Sequence, residues 1–170
     1  HGDAHNANVW YIEQGGRAEL SFFDPAFAGE HVPTLLAEVK ATFHNILAHP
    51  LWLYDPEELE RRYSATARYA DGVLHVETDW ALSRVRQDLL EQKMLETWKP
   101  LLAILKARGM MPADWRQVIR YGFFLCPTLV MNLRAGASRH NPTSSLIGFA
   151  NAVRAGTEPV GHEDLLSGLL

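Results

Sequence analysis

His1-Gly2-Asp3-Ala4-His5-Asn6-Ala7-Asn8 opens the sequence, and the pattern that decides the fold starts directly after it. Val9 to Glu13 and Ala18 to Phe23 are short runs rich in β-formers, parted by Gln14-Gly15-Gly16-Arg17. A Gly-Gly pair supplies the positive φ of a tight turn, so the spacing predicts a β-hairpin. Gly15-Gly16 lacks the further glycines and the Lys of a phosphate-cradling loop, and reads as a turn only. After Gly29 the hydrophobic period changes from two to 3.6. Val32, Leu35, Leu36, Val39, Phe43, Ile46 and Leu47 share one helical stripe, with Pro33 suited to the first turn. A buried helix over 32–48 follows.

Asp55-Pro56-Glu57-Glu58 is a helix start, with Asp55 as N-cap, Pro56 in the first turn and Glu58 as capping-box partner. That helix is expected to run to Thr66. Asp71-Gly72 and the alternation from Val73 to Thr78 suggest a turn and a short strand. Asp79 can cap a long helix from Trp80 to Ala107, kinked or split by Pro100. Gly109 and Pro112 separate it from a helix carrying Trp115, Val118, Ile119 and Phe123. Cys126-Pro127 interrupts the pattern and Thr128 to Arg134 resumes it. Residues 135–144 form a loop by composition. Leu146, Phe149, Ala150 and Val153 mark a last helix stopped by Gly156, and 157–170 read as a loosely held C-terminal tail. The expected fold class is mainly α with a small β-hairpin: one hairpin, then five to seven helices.

The composition narrows the function classes. In 170 residues, 47% are hydrophobic and five are Trp, which excludes a disordered chain. Cys126 stands alone, which excludes a disulfide scaffold. The longest apolar run, 122–131, is interrupted by Pro127 and is far shorter than the roughly 20 residues of a membrane span. No basic segment followed by an apolar one opens the chain, so the expected localisation is cytoplasmic, without a membrane. Net charge is −4, distributed as 6 basic and 13 acidic side chains in residues 1–85 against 10 and 7 in the rest. That balance, with no basic stripe interleaved with aromatics, also argues against a nucleic-acid partner. The tryptophans at helical spacing read as core. Glu57, Glu58 and Glu60 could attract a cationic amine but read more simply as a solvated face, and Arg116, Arg120, Arg134 and Arg139 could hold an anionic substrate group. Cys126 reads as a small buried hydrophobe, and His75 and His140 as surface residues.

The polar opening is where chemistry concentrates. His1-x-Asp3, with Asn8 five residues after Asp3, has the spacing of a kinase catalytic loop. The Asp accepts the proton of an attacking hydroxyl, the Asn offers an oxygen to a metal, and a second carboxylate must reach the same metal. Asp24, at the end of the strand that returns through the hairpin, stands in that place.

The segment from His1 to Val9, followed by Phe22-Phe23-Asp24-Pro25-Ala26, resembles the aminoglycoside phosphotransferase and choline-kinase-like enzymes, small-molecule kinases of the protein-kinase-like fold. The resemblance covers residues 1–29. Ala4, Asn6 and Ala7 replace the Leu and Pro-Gly common in that family. Pro25-Ala26 replaces the Phe-Gly of protein kinases, which argues against a protein substrate. The resemblance implies that residues 1–156 form a kinase-like C-terminal lobe: catalytic loop, hairpin and metal-binding Asp over 1–29, and a helical subdomain over 30–156. It implies Asp3 as catalytic base, Asn8 and Asp24 as Mg²⁺ ligands, His1 and His5 as loop-structuring residues, and ATP as phosphoryl donor to a small-molecule hydroxyl. Lys40, Lys93, Lys99 and Lys106 all fall downstream in predicted helices. The nucleotide-binding N-terminal lobe is therefore absent from this chain, and the fragment alone is expected to be inactive.

Two other classes stand beside this one. His1, Asp3 and His5 on an extended segment could hold the metal of a hydrolase, with His31, His44 or His49 as a fourth ligand. His44, next to Phe43, reads more simply as a core-edge residue. A non-catalytic kinase-like interaction module is the third class, against which the two intact acids Asp3 and Asp24 speak.

Overall fold

The structure is a computed structural model that describes residues 2–25, 28–31, 33–48, 50–130, 132–161, 163–164 and 166–167. His1, Ala26, Val32, His49 and Met131 lie outside the described residues. The chain is mixed α and β, dominated by helices, with two small antiparallel hairpins. Among the described residues no helix is long and apolar enough to cross a membrane.

Strands β1 (Val9–Gln14) and β2 (Arg17–Phe22) pair from Val9↔Phe22 to Gln14↔Arg17. Gly15 and Gly16, at φ 58° and 74°, make the turn that the sequence predicts. The ribbon is exposed on both faces except at Val9, leaving Trp10 and Tyr11 more than 60% exposed.

Helix α1 (Thr34–Thr42) runs into a π-helical turn, Phe43–Leu47, that together span the predicted buried helix. The turn's widening, with Ala48 N–H donating to Phe43 C=O, buries Phe43, Ile46 and Leu47. Single π turns of this kind often mark functional sites. Helix α2 (Pro50–Tyr54) contributes Trp52, and α3 (Pro56–Arg62) starts at Asp55, whose carboxylate accepts from Glu58 N–H. Glu58 does not complete a capping box. Its carboxylate accepts instead from Arg61 and Arg62, one turn on.

The largest departure from expectation lies between 63 and 83. The chain leaves the helix at Arg62 and forms a second hairpin, β3 (Ala65–Ala70) and β4 (Val73–Thr78), around Asp71-Gly72. Asp79 does not cap a helix. Its carboxylate accepts from Ser64 N–H and Oγ, while Thr78 Oγ1 donates to Ser64 C=O, lacing the hairpin's base. The next helix, α4 (Arg84–Lys93), starts four residues later at Ser83.

The long helix divides beside Pro100, which stands in the first turn of its second half. A π turn, Met94–Trp98, joins α4 to α5 (Lys99–Ala107), with Lys99 N–H reaching back to Met94 C=O. The wider turn sits where a proline ring would crowd the preceding carbonyls and leave one without a donor. Pro127 is accommodated in the same way. Helix α6 (Trp115–Leu125) passes into a π turn, Cys126–Val130, and no helix resumes through Asn132–Arg134. Helix α7 (Pro142–Gly156) begins with a reciprocal capping box between Asn141 and Ser144.

The core gathers Phe43, Trp52, Leu59, Trp98, Ile119, Phe123, Leu133 and Ile147, each essentially without solvent contact. Trp98 Nε1–H donates to Thr42 Oγ1 inside it. Gly148 lets α7 approach: a Cβ there would stand 2.8 Å from Leu133 Cδ1. Two expectations fail at this end. His140 is buried, paired through Nδ1 with Ser144 Oγ, and burial lowers its pKa. The segment after Gly156 does not hang loose: Leu166 is buried, and Asp164 pairs with the buried Arg120.

Candidate active site

Asp3 is buried, at 7% exposure, in the loop that leads into β1. The loop closes by a short 3₁₀ turn, Asn6–Asn8, in which His5 C=O accepts from Asn8 N–H. His5 also caps that turn, its Nδ1 accepting from Ala7 N–H at 3.2 Å. A neutral imidazole that accepts at Nδ1 carries its proton on Nε2. That nitrogen faces Asp3 Oδ1 at 3.6 Å, too long for a hydrogen bond. Asn8, itself buried, donates from Nδ2 to Asp3 C=O at 3.0 Å.

Two distant elements fix this loop. From the first π turn, Asn45 accepts from Asn6 N–H at 2.7 Å and donates to Ala4 C=O at 3.2 Å. Arg86 of α4 in turn donates to Asn45 C=O and Ile46 C=O. From β2, Phe23 N–H donates to Asn8 C=O, extending the hairpin ladder by one step. Asp24 follows Phe23 directly, so the register carries it to the end of the loop where Asn8 stands. It is exposed and held at φ 53°, a left-handed conformation that Asp tolerates and that often marks functional positions.

Behind Asp3 lies a seam of ionisable groups. Lys40 of α1 places Nζ 2.6 Å from Asp3 Oδ1, an oxygen sealed from water that receives no well-directed hydrogen bond. One turn further along, His44 stacks obliquely near His5, ring centroids 5.6 Å apart. His44 Nδ1 lies 3.1 Å from Tyr54 Oη, and its Nε2 lies 3.5 Å from Cys126 Sγ. Burial, with the positive influence of His5 and Lys40, pulls the His44 pKa down to about 4. Burial pushes the Cys126 thiol up to about 11 and raises the Tyr54 phenol. At neutral pH the seam therefore holds a neutral imidazole, a thiol and a phenol beside the Asp3–Lys40 contact. Cys126 is buried as its sequence context suggests, and in this protonation state it is no nucleophile.

The sequence-derived residues divide accordingly. The fold brings Asp3, His5 and Asn8 into one loop and Asp24 to its edge. His31 is exposed on a separate loop, and His44 is engaged by Tyr54 and Cys126. Among the described residues no three His, Cys, Asp or Glu side chains converge on a metal-sized site. Of the arginines, Arg120 is committed to Asp164. Lys40 and Asn45 escaped the sequence reading. Their one trace is position: Lys40 and His44 are four apart, hence on one helix face, at the edge of an otherwise apolar stripe. No protein family, curated protein or solved structure matches this chain.

Proposed function

We propose that this chain is the catalytic, C-terminal-type lobe of an ATP- and Mg²⁺-dependent phosphotransferase acting on a hydroxyl of a small molecule, of the aminoglycoside, choline or sugar kind. The observation that carries the reading is the hydrogen bond from Phe23 N–H to Asn8 C=O. It sets the backbone of the loop bearing Asp3 and Asn8 beside the strand end bearing Asp24, which supports reading the three residues as one site.

In this reading Asp3 takes the proton of the acceptor hydroxyl. The hydroxyl oxygen forms a bond to the γ-phosphorus as the bond between that phosphorus and its bridging oxygen breaks, and ADP leaves. Asn8 and Asp24 suit Mg²⁺ because both offer hard oxygen donors. The Asn8 nitrogen is spent on Asp3 C=O, which leaves its amide oxygen as the end available to a cation. When bound, the ion supplies positive charge that offsets the phosphates. His5 holds the loop by capping its turn, and Asn45 holds it from behind. The four lysines sit on α1, α4 and α5, none on a strand. The part that covers the nucleotide is accordingly assigned to a separate lobe of the whole protein.

The test is phosphoryl transfer by the full-length protein, followed as ADP release against a panel of amino-sugar, choline-like and sugar alcohols. Asp3→Ala should lower turnover by about 10²–10⁴-fold, the usual worth of a general base, with nucleotide binding nearly unchanged. Asp24→Ala should weaken Mg·ATP binding and turnover together. Full turnover in Asp3→Ala, or an unaltered Mg²⁺ dependence in Asp24→Ala, would remove that residue from the mechanism.

A further inference from the structure

The Asp3 carboxylate is held asymmetrically. Oδ1 is sealed from water and committed to the Lys40 ammonium at 2.6 Å, with His5 Nε2 next nearest at 3.6 Å. Among the described residues no donor is placed on Oδ2. Lys40 is anchored near the end of α1, where the helix widens into the π turn that also carries Asn45, the residue gripping the Asp3 loop. The Lys40 side chain keeps about a quarter of its exposure, so its stem reaches across to a carboxylate that is itself almost dry.

We infer that Lys40 is the positioning residue of this site: it pins Asp3 through Oδ1 so that Oδ2 is the oxygen presented to the acceptor hydroxyl. The inference rests on the phosphotransferase reading for its catalytic consequence, though not for the ion pair itself. A short carboxylate on a loop has two torsions with which to turn away from a substrate, and an ionic contact on one oxygen removes that freedom. Lys40 also compensates a negative charge that the loop has taken out of water, which an uncharged side chain could not do.

Two measurements on the full-length protein test this. In the first, Lys40→Met should lower kcat by about 10²-fold while nucleotide KM stays within about twofold, and Lys40→Arg, which keeps the charge, should retain most of the turnover. Equal losses in both variants, or a loss confined to KM, would overturn the positioning role. The second needs no activity: the Lys40 ammonium should give a slowly exchanging proton–nitrogen NMR signal that disappears in Asp3→Asn. A signal absent from the wild type, or unchanged in Asp3→Asn, shows that the pair does not exist and the inference fails, even if Lys40→Met does not fold. If Asp3→Ala retains turnover while the NMR signal behaves as expected, the phosphotransferase reading falls and the ion pair stands. If Asp3→Ala is inactive and Lys40→Met is fully active, only the inference falls.

Discussion

Asp164 and Asp3 are both drawn out of water beside a cation, and they are treated in opposite ways. Asp164 is saturated: Arg120 donates to both oxygens, and Leu166 N–H, Ser167 N–H and Ser167 Oγ all donate to Oδ1. Burial alone would raise its pKa, but the hydrogen bonds from Arg120, Ser167 and Leu166 outweigh it and hold the group below the ordinary carboxylate value. Asp3 has one close ionic partner and no well-directed hydrogen bond on the sealed oxygen. A carboxylate with both oxygens hydrogen-bonded fastens chain to chain. One held on a single side is fixed in place by that contact alone. The difference marks Asp164 as the clasp that docks the C-terminal segment, and leaves Asp3 as the candidate for the proposed chemistry.

The most severe way to break the comparison on stability is Asp164→Ala. Arg120 is 3% exposed at its side chain, and its other carboxylate partner, Glu158, is mostly in solvent at 3.6 Å. An uncompensated buried guanidinium should cost about 3–5 kcal/mol, read as a lower midpoint in urea unfolding. A loss under about 1 kcal/mol, the worth of a surface pair, would mean that the segment is not fastened here.

Acid should separate the two regions by pH. His44 titrates at about 4 in the folded chain and near 6.5 when unfolded, so between those values the unfolded state binds more protons and stability falls as pH falls. His140, lowered by burial, adds to this limb. Asp164 has a depressed folded pKa, so its contribution is present above its ordinary value of 3.8 and is lost as pH drops further. Unfolding free energies measured across this range should show two limbs. His44→Gln should flatten the upper one more than His140→Gln does, and Asp164→Asn should alter only the lower. The reverse order for the histidines would put the larger desolvation at the wrong site.

The smallest effect sharpens the contrast. Asp3→Asn should change stability by no more than about 1 kcal/mol, because Lys40, a quarter exposed, can turn its ammonium to water. A loss as large as that of Asp164→Ala would show Asp3 to be a structural clasp as well, and would weaken its candidacy as a base.

Much of the local structure was legible in the sequence. Gly15-Gly16 between two alternating runs gave the first hairpin its turn and register, and the stripe from Leu35 to Leu47 placed α1 and its π turn against the core. Asp55 before Pro56 located a helix start, because a cap acts within one turn of chain. The failures came where two local readings compete. Asp79 is as good a helix cap as it is a clamp for Ser64, and only the pairing of β3 with β4 brings Ser64 within its reach. Glu58 could cap backward or pair forward, and two arginines ahead of it decided the outcome. His140 and Arg120 look like surface residues by type, and each is buried because a partner fixed by folding satisfies it.

For the candidate site the division is equally physical. The chain by itself determined that Asp3, His5 and Asn8 share one loop and that Asp24 ends the strand returning to it, since these relations span few residues and follow from turn geometry. Lys40, Asn45, His44 and Cys126 come to the back of the Asp3 loop from 37 to 123 positions away from Asp3 along the chain. Nothing in their local sequence encodes that approach. It exists because burying Phe43, Trp52, Trp98 and Phe123 together brings α1, its π turn and the turn after α6 to the back of the loop. Hydrophobic burial is non-directional and chooses no residue pairs of its own. Packing of a particular core decided which cation faces Asp3, and on which of its two oxygens.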